Sequence, residues 1–105
     1  MKVLIIGFGS IGKRHFSVLS KIKKIKNIKI CTNTNINLSL KIELDSKKIK
    51  EFNPDYIIIA SQTSDHIKHL SFINKLLNNK VILVEKPIFH SKNIKLISNK
   101  NNKIF

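Results

Sequence analysis

The 105-residue sequence holds a single cysteine, Cys31, so no internal disulfide can form. One lone thiol suits a reducing compartment, and a cytoplasmic location is expected. Long hydrophobic runs are missing too. The opening segment Met1-Lys2-Val3-Leu4-Ile5-Ile6 meets Gly7 at once, too soon for a signal peptide or a membrane span. A soluble protein without a membrane partner is therefore expected. Acids are scarce: six Asp and Glu stand against twenty Lys and Arg, a formal net charge of +14. Such a balance invites a nucleic-acid reading. However, Arg14 is the only arginine, and surfaces that bind phosphate or read bases favour the arginine fork. The lysines are spread along the chain. Loose, salt-sensitive sticking to polyanions follows from this, with no specific nucleic-acid partner. Glycine is the most telling shortage. The chain has three, Gly7, Gly9 and Gly12, all within one six-residue stretch.

What is present alternates between two patterns. Lys2 to Ile6, Ile28 to Cys31, Tyr56 to Ala60 and Val81 to Val84 are short apolar runs that read as strands buried on both faces. Between them, Ile11, His15, Val18, Leu19 and Ile22 recur at helical spacing, as do Ile67, Leu70, Ile73, Leu76 and Leu77. Thr32 to Leu38 reads as loop. Ser39 to Glu43 alternates loosely and suggests a third, exposed strand. Asp45 can cap a short helix from Ser46 to Phe52, which Asn53-Pro54-Asp55 breaks. Ser61 to Asp65 reads as a polar turn. Asn78-Asn79 ends the helix before Val81, and Ser91 can cap a last helix to about Asn99. Ile104-Phe105 looks like the start of a further strand that never continues, which would leave Val81 to Val84 as an unpaired edge. The pattern predicts an α/β, Rossmann-like, doubly wound parallel sheet of about five strands in the order 3-2-1-4-5, with helices on both faces. The length allows one domain over residues 1–105, short for holding both a dinucleotide and a second substrate.

Gly7-Phe8-Gly9-Ser10-Ile11-Gly12 follows a buried strand and opens an amphipathic helix, the context a dinucleotide-binding loop requires. Gly7 would make the tight turn, Gly9 would admit a pyrophosphate against the backbone, and Gly12 would let the helix lie close on the sheet. Free N–H groups near Ser10 and Ile11 could bind the phosphates. A ligand-free turn would use the same glycines, and that alternative stays open. A mononucleotide P-loop is disfavoured, because Gly12-Lys13 is followed by Arg14 and not by Ser or Thr. The acid that usually binds the adenosine ribose after the second strand is absent. Thr32, Asn33 and Thr34 stand there instead, so NAD and NADP both remain candidates, with a slight lean to NADP.

Three further stretches join the glycine loop: Gly12-Lys13-Arg14-His15; Asn53 to His66, which contains Ala60-Ser61-Gln62-Thr63; and Val81 to Val84 followed by Glu85-Lys86-Pro87. In this order and spacing, from Met1 to about Ser98, the chain resembles the N-terminal domain of the Gfo/Idh/MocA oxidoreductases. The resemblance implies a nicotinamide cofactor and hydride transfer on sugar or polyol substrates. It places Gly7, Gly9 and Gly12 at the cofactor loop, Ser61, Gln62 and Thr63 in the turn under the cofactor, and His66 at the start of the next helix. It also sets Glu85, Lys86 and Pro87 beside the nicotinamide, with Lys86 as the candidate catalytic residue. A lysine there could hydrogen-bond a sugar hydroxyl and favour the charge that develops as hydride leaves carbon.

Read on its own, His66 could equally cap a helix or pair with a backbone carbonyl. His15 falls on the inward face of the first helix and reads as packing. His69 and His90 have no evident partners, and no metal site has recognisable spacing. The family normally continues into a large α/β substrate domain, which this sequence does not contain, so the chain alone is expected to be inactive. The alternatives are an interaction module that forms a homo-oligomer or pairs with a separate substrate-domain chain, and, less favoured, a basic nucleic-acid binder.

Overall fold

The computed structural model describes residues 1–85 and 101–105. Strands β1 (Lys2–Ile6), β2 (Asn27–Cys31), β3 (Tyr56–Ile59), β4 (Val81–Val84) and β5 (Lys103–Ile104) form one five-stranded sheet in the order β2-β1-β3-β4-β5. Every pairing is parallel. Helices α1 (Ser10–Leu19), α2 (Ser46–Phe52) and α3 (Thr63–Leu76) make the connections. The helix expected from Ser91 lies outside the described residues.

Strand pleating divides the apolar side chains between two cores. Val3, Ile5, Ile28, Ile30 and Ile58 face one way and take Phe16 and Leu19 of α1. Leu4, Ile6, Ile57, Ile59, Ile82 and Val84 face the other way and take Ile49 of α2 with Leu70 and Ile73 of α3. The helices thus cover both faces, and this explains why the strands read as unbroken apolar runs. The path from β1 to β2 uses one face, and the paths through α2 and α3 use the other. The chain therefore reverses direction across the sheet between β1 and β3. In open parallel sheets a crevice forms at the carboxyl ends of the strands at such a point.

Local signals fix the element ends. The Asp45 carboxylate accepts from the Lys48 N–H at 3.0 Å and starts α2, and Asn53 ends it in the left-handed conformation at φ 52°. Asp55 ties down the amino end of β1, since its carboxylate accepts from the Lys2 N–H at 2.9 Å.

Three expectations change. The exposed third strand at Ser39 to Glu43 lies beside β2, as its place in the expected order requires, but it shrinks to one bridge between Ile30 and Lys41. Leu40 and Ile42, on either side of the bridge, pack against opposite cores, which a regular strand with its two-residue alternation does not do. The polar turn at Ser61 to Asp65 is shorter than expected, because α3 already begins at Thr63. The edge at Val81–Val84 is not bare. β5 pairs with it, with Val81 opposite Lys103 and Ile82 opposite Ile104, and the Val84 N–H donates to the Phe105 carbonyl at 3.0 Å. Two residues suffice for β5 because side chains anchor it. Asn102 accepts from the Lys80 N–H at 2.7 Å, and its amide donates to Asn74 Oδ1 at 2.9 Å and to the Leu77 carbonyl at 2.8 Å.

Candidate cofactor site

A cleft of about 950 Å³ opens at the carboxyl ends of β1, β2 and β3. Its floor is Gly7 to Ile11. One wall is Cys31 to Thr34 together with Lys41 to Leu44. The opposite wall is Ala60 to Gln62, with Asp65 and His69 from α3.

The three glycines have different reasons to be glycine. Gly7 sits at φ +97°, where L side chains are strained, and a Cβ on it would come within 2.7 Å of the Ala60 carbonyl. A Cβ on Gly12 would collide with the Gly7 carbonyl oxygen, so Gly12 is what lets α1 lie against the loop. Gly9 differs: a Cβ there would meet nothing within 4 Å. No protein contact demands a glycine at this position, and the space beside it belongs to the cleft. Gly9 is also the N-cap of α1, and no side chain caps the helix. Lys13 is the first residue whose N–H reaches a carbonyl of the helix, that of Gly9 at 2.9 Å. The N–H groups of Ser10, Ile11 and Gly12 precede it, where a helix offers no internal acceptor. Together with the positive end of the helix dipole they suit an anion such as a pyrophosphate, and nothing bulky fills the turn. The residues present therefore fit the phosphates of a dinucleotide.

The turn from β3 to α3 is built in the opposite way, filled by its own side chains. His66 is 1 % exposed, and its Nε2–H donates to the Ser61 carbonyl at 2.6 Å. Its Nδ1 is buried without a partner among the described residues. The Ser61 hydroxyl shares a 2.7 Å hydrogen bond with His69 Nδ1. Burial of the His69 ring, helped by Lys68 and His66 and opposed by Asp65, lowers its pKa. Cys31, at the top of β2, is also buried, and this pushes its thiol up to about 12. A thiol held protonated is no nucleophile.

The sequence-derived site residues fall into four groups. Gly7, Phe8, Gly9, Ser10, Ile11, Thr32, Asn33, Ser61 and Gln62 line the cleft. Gly12 lies under the loop, Thr63 opens α3, and His66 sits behind the cleft wall with its ring on the Ser61 carbonyl. Glu85 follows β4 away from the cleft lining, where one carboxylate oxygen meets His15 Nε2 at 2.8 Å. Lys86 and Pro87 lie outside the described residues. Two histidines gain partners that sequence reading did not supply. His15 reaches across to Glu85, and His69 reaches Ser61. Thr34, named beside Thr32 and Asn33, lines the cleft as well; the lining residues missed were Ile6, Cys31, Lys41 to Leu44, Ala60, Asp65 and His69. The spacing of Asp65 and His69, one helical turn apart on the face of α3 that looks back at Ser61, was the available signal for that pair.

The sequence model described as the oxidoreductase family with an NAD-binding Rossmann fold, Gfo/Idh/MocA, matches residues 1–98. The chain belongs to the Gfo/Idh/MocA oxidoreductase family. The matched part is the family's NAD-binding Rossmann domain. Solved structures share this fold. A Gfo/Idh/MocA family oxidoreductase from Vibrio cholerae is 16% identical with a TM-score of 0.77, covering 100% of this chain and 38% of that one. Scyllo-inositol dehydrogenase from Lactobacillus casei, solved with NAD(H) and scyllo-inositol, is 18% identical with a TM-score of 0.69, covering 99% and 35%. Dihydrodipicolinate reductase from Paenisporosarcina sp. TG-14, solved with dipicolinate, is 12% identical with a TM-score of 0.74, covering 93% and 42%. At such identities the likeness concerns fold alone. The chain spans well under half the length of each of these proteins. A comparison with curated proteins finds no match. Among the described residues, no helix is long and apolar enough to cross a membrane.

Proposed function

We propose that this Gfo/Idh/MocA chain holds a nicotinamide dinucleotide, NAD or NADP, as the cofactor-binding part of an oxidoreductase acting on sugar or polyol substrates. The observation that carries the reading is Gly9, a glycine that no contact among the described residues requires, set where three helix-start N–H groups have no acceptor within the helix. The pyrophosphate lies against these groups, and the adenosine ribose lies toward Thr32 and Asn33. Ser61 and Gln62 form the wall across from the ribose, and Ser61 is held in place by His66 and His69. When bound, the nicotinamide supplies the hydride acceptor or donor. His15 fixes the Glu85 carboxylate at the end of β4, and Lys86 is the candidate catalytic residue that the family resemblance implies. A substrate-binding domain, on the same or a separate chain, completes the pocket. Without it the residues described here bind cofactor but do not orient a second reactant, and turnover is absent.

Titration of the folded protein with NADH and NADPH, read by nucleotide fluorescence at moderate ionic strength, tests the reading. Saturable binding is expected. The Gly9→Ala variant should keep the wild-type circular dichroism and bind at least about tenfold more weakly, because the added methyl occupies the phosphate approach. Failure of correctly folded wild-type protein to saturate with either nucleotide overturns the proposal.

A further inference from the structure

Among the described residues, the cleft lining runs against the charge of the chain. The chain has a net charge of +14, yet the charged side chains among the described residues lining the cleft are one lysine, Lys41, against two carboxylates, Glu43 and Asp65. Arg14, the single arginine, is not among them. The position of Glu43 is specific. Ile30 of β2 bridges Lys41 in parallel, and the Ile42 N–H donates to the Ile30 carbonyl at 3.0 Å. Two residues past the bridge, Glu43 lines the same cleft as Thr32, where β2 delivers its last residues. Lys41 sits two residues deeper, about 7 Å back along the strand direction. The carboxylate is also held: one oxygen accepts from Lys48 Nζ at 2.9 Å, at the start of α2, and the other has no partner among the described residues.

We infer that Glu43 supplies, from the edge segment beside β2, the acid that dinucleotide folds usually carry at the end of β2 itself, and that it makes the site select NAD over NADP. The inference rests on the cofactor reading above. A carboxylate with one free oxygen accepts hydrogen bonds from ribose hydroxyls. A 2′-phosphate in the same place would meet a negative charge and, among the described residues, no arginine, and like charges set side by side oppose binding, here at an exposed carboxylate. The neutral residues at Thr32 to Thr34, which on their own leave the choice of cofactor open, then serve as spacers beside the acid. Lys48 steadies the Glu43 side chain and partly offsets its charge, so the preference is finite.

The test uses two pairs of probes, NADH with NADPH and 5′-AMP with 2′,5′-ADP. Each pair differs in one phosphate on the adenosine ribose. Titrations are run at high enough ionic strength to screen the attraction of the basic surface for the extra phosphate. Wild type should favour NADH and 5′-AMP by about tenfold or more. Glu43→Gln should lose several-fold in NADH affinity, gain in NADPH affinity and bring the ratio near one, and Glu43→Lys should invert it. Both variants should keep the wild-type melting temperature, since the Glu43–Lys48 pair is exposed and such pairs add little to stability. Equal affinities in wild type, or a ratio unmoved by Glu43→Gln, overturn the inference and leave the cofactor reading standing. Absence of saturable binding by all four probes to folded wild type overturns both.

Discussion

The two strand-to-helix turns that meet at the cleft are made by opposite means. From β1 to α1 the chain uses three glycines and no side-chain cap, so the turn is bare backbone with N–H groups facing out. From β3 to α3 it uses Ser61, His66 and His69, which bond to one another through a carbonyl, a hydroxyl and two imidazoles. The first turn is shaped to be completed by something that is not protein. The second is largely completed already and gives the first a rigid neighbour: the Gly7 backbone rests on Ala60 and Ser61 at distances that leave no room for a methyl. Binding capacity thus sits on one side of the crevice and positional stiffness on the other.

The sharpest way to break this division is Gly12→Ala. The new methyl collides with the Gly7 carbonyl, which cannot yield without moving the loop off β3, and a loss of about 3 kcal/mol in denaturant unfolding is expected. Hollowing the opposite turn comes next. His66→Ala removes a fully buried ring and leaves the Ser61 carbonyl unpaired, so a loss of about 2–3 kcal/mol is expected. If it cost nothing, the second turn would not be the rigid partner. Gly9→Ala is the counter-case within the glycine loop. It should change stability by less than about 1 kcal/mol, since the backbone there is extended and the space is empty, and only nucleotide binding should fall. The smallest effect is a pH slope. His69 has a folded pKa below the ordinary imidazole value of 6.5, so its neutral form favours the fold above that pH. Its contribution is lost as pH falls below that value toward the lowered one. Wild type should therefore lose more stability between pH 7 and pH 5 than His69→Gln, measured by melting temperature across that range.

The sheet was legible in the sequence because burial on both faces writes itself as uninterrupted runs of Ile, Leu and Val, and Asp45 and the Asn53-Pro54 break mark α2 through side-chain chemistry that needs no tertiary context. The glycine loop was legible for the same reason: its spacing is a backbone requirement. What escaped depends on pairs far apart in sequence. His15 meets Glu85 seventy residues later, Ser61 meets a histidine that looked unpartnered, and Lys41 to Glu43 joins the cleft through a single bridge that no periodicity announces. β5 was legible only as the start of a strand at Ile104-Phe105, and its pairing with Val81–Val84 escaped because two residues carry too little apolar pattern to show what they cover. Its seat is polar, assembled by Asn102 from parts of α3 and the loop after it.

That polar seat acts as a check on alignment. A strand held by oily side chains can slide by two positions and still bury something. The amide of Asn102 has one fitting slot, bounded by Asn74, the Leu77 carbonyl and the Lys80 amide. A segment shifted so that Lys103 takes this place offers no acceptor for the Lys80 N–H, whereas a shift the other way would present the equivalent amide of Asn101. The polar seat thus rejects a slip in one direction, and in the observed frame β5 covers the parallel edge of β4 against the strands of other molecules.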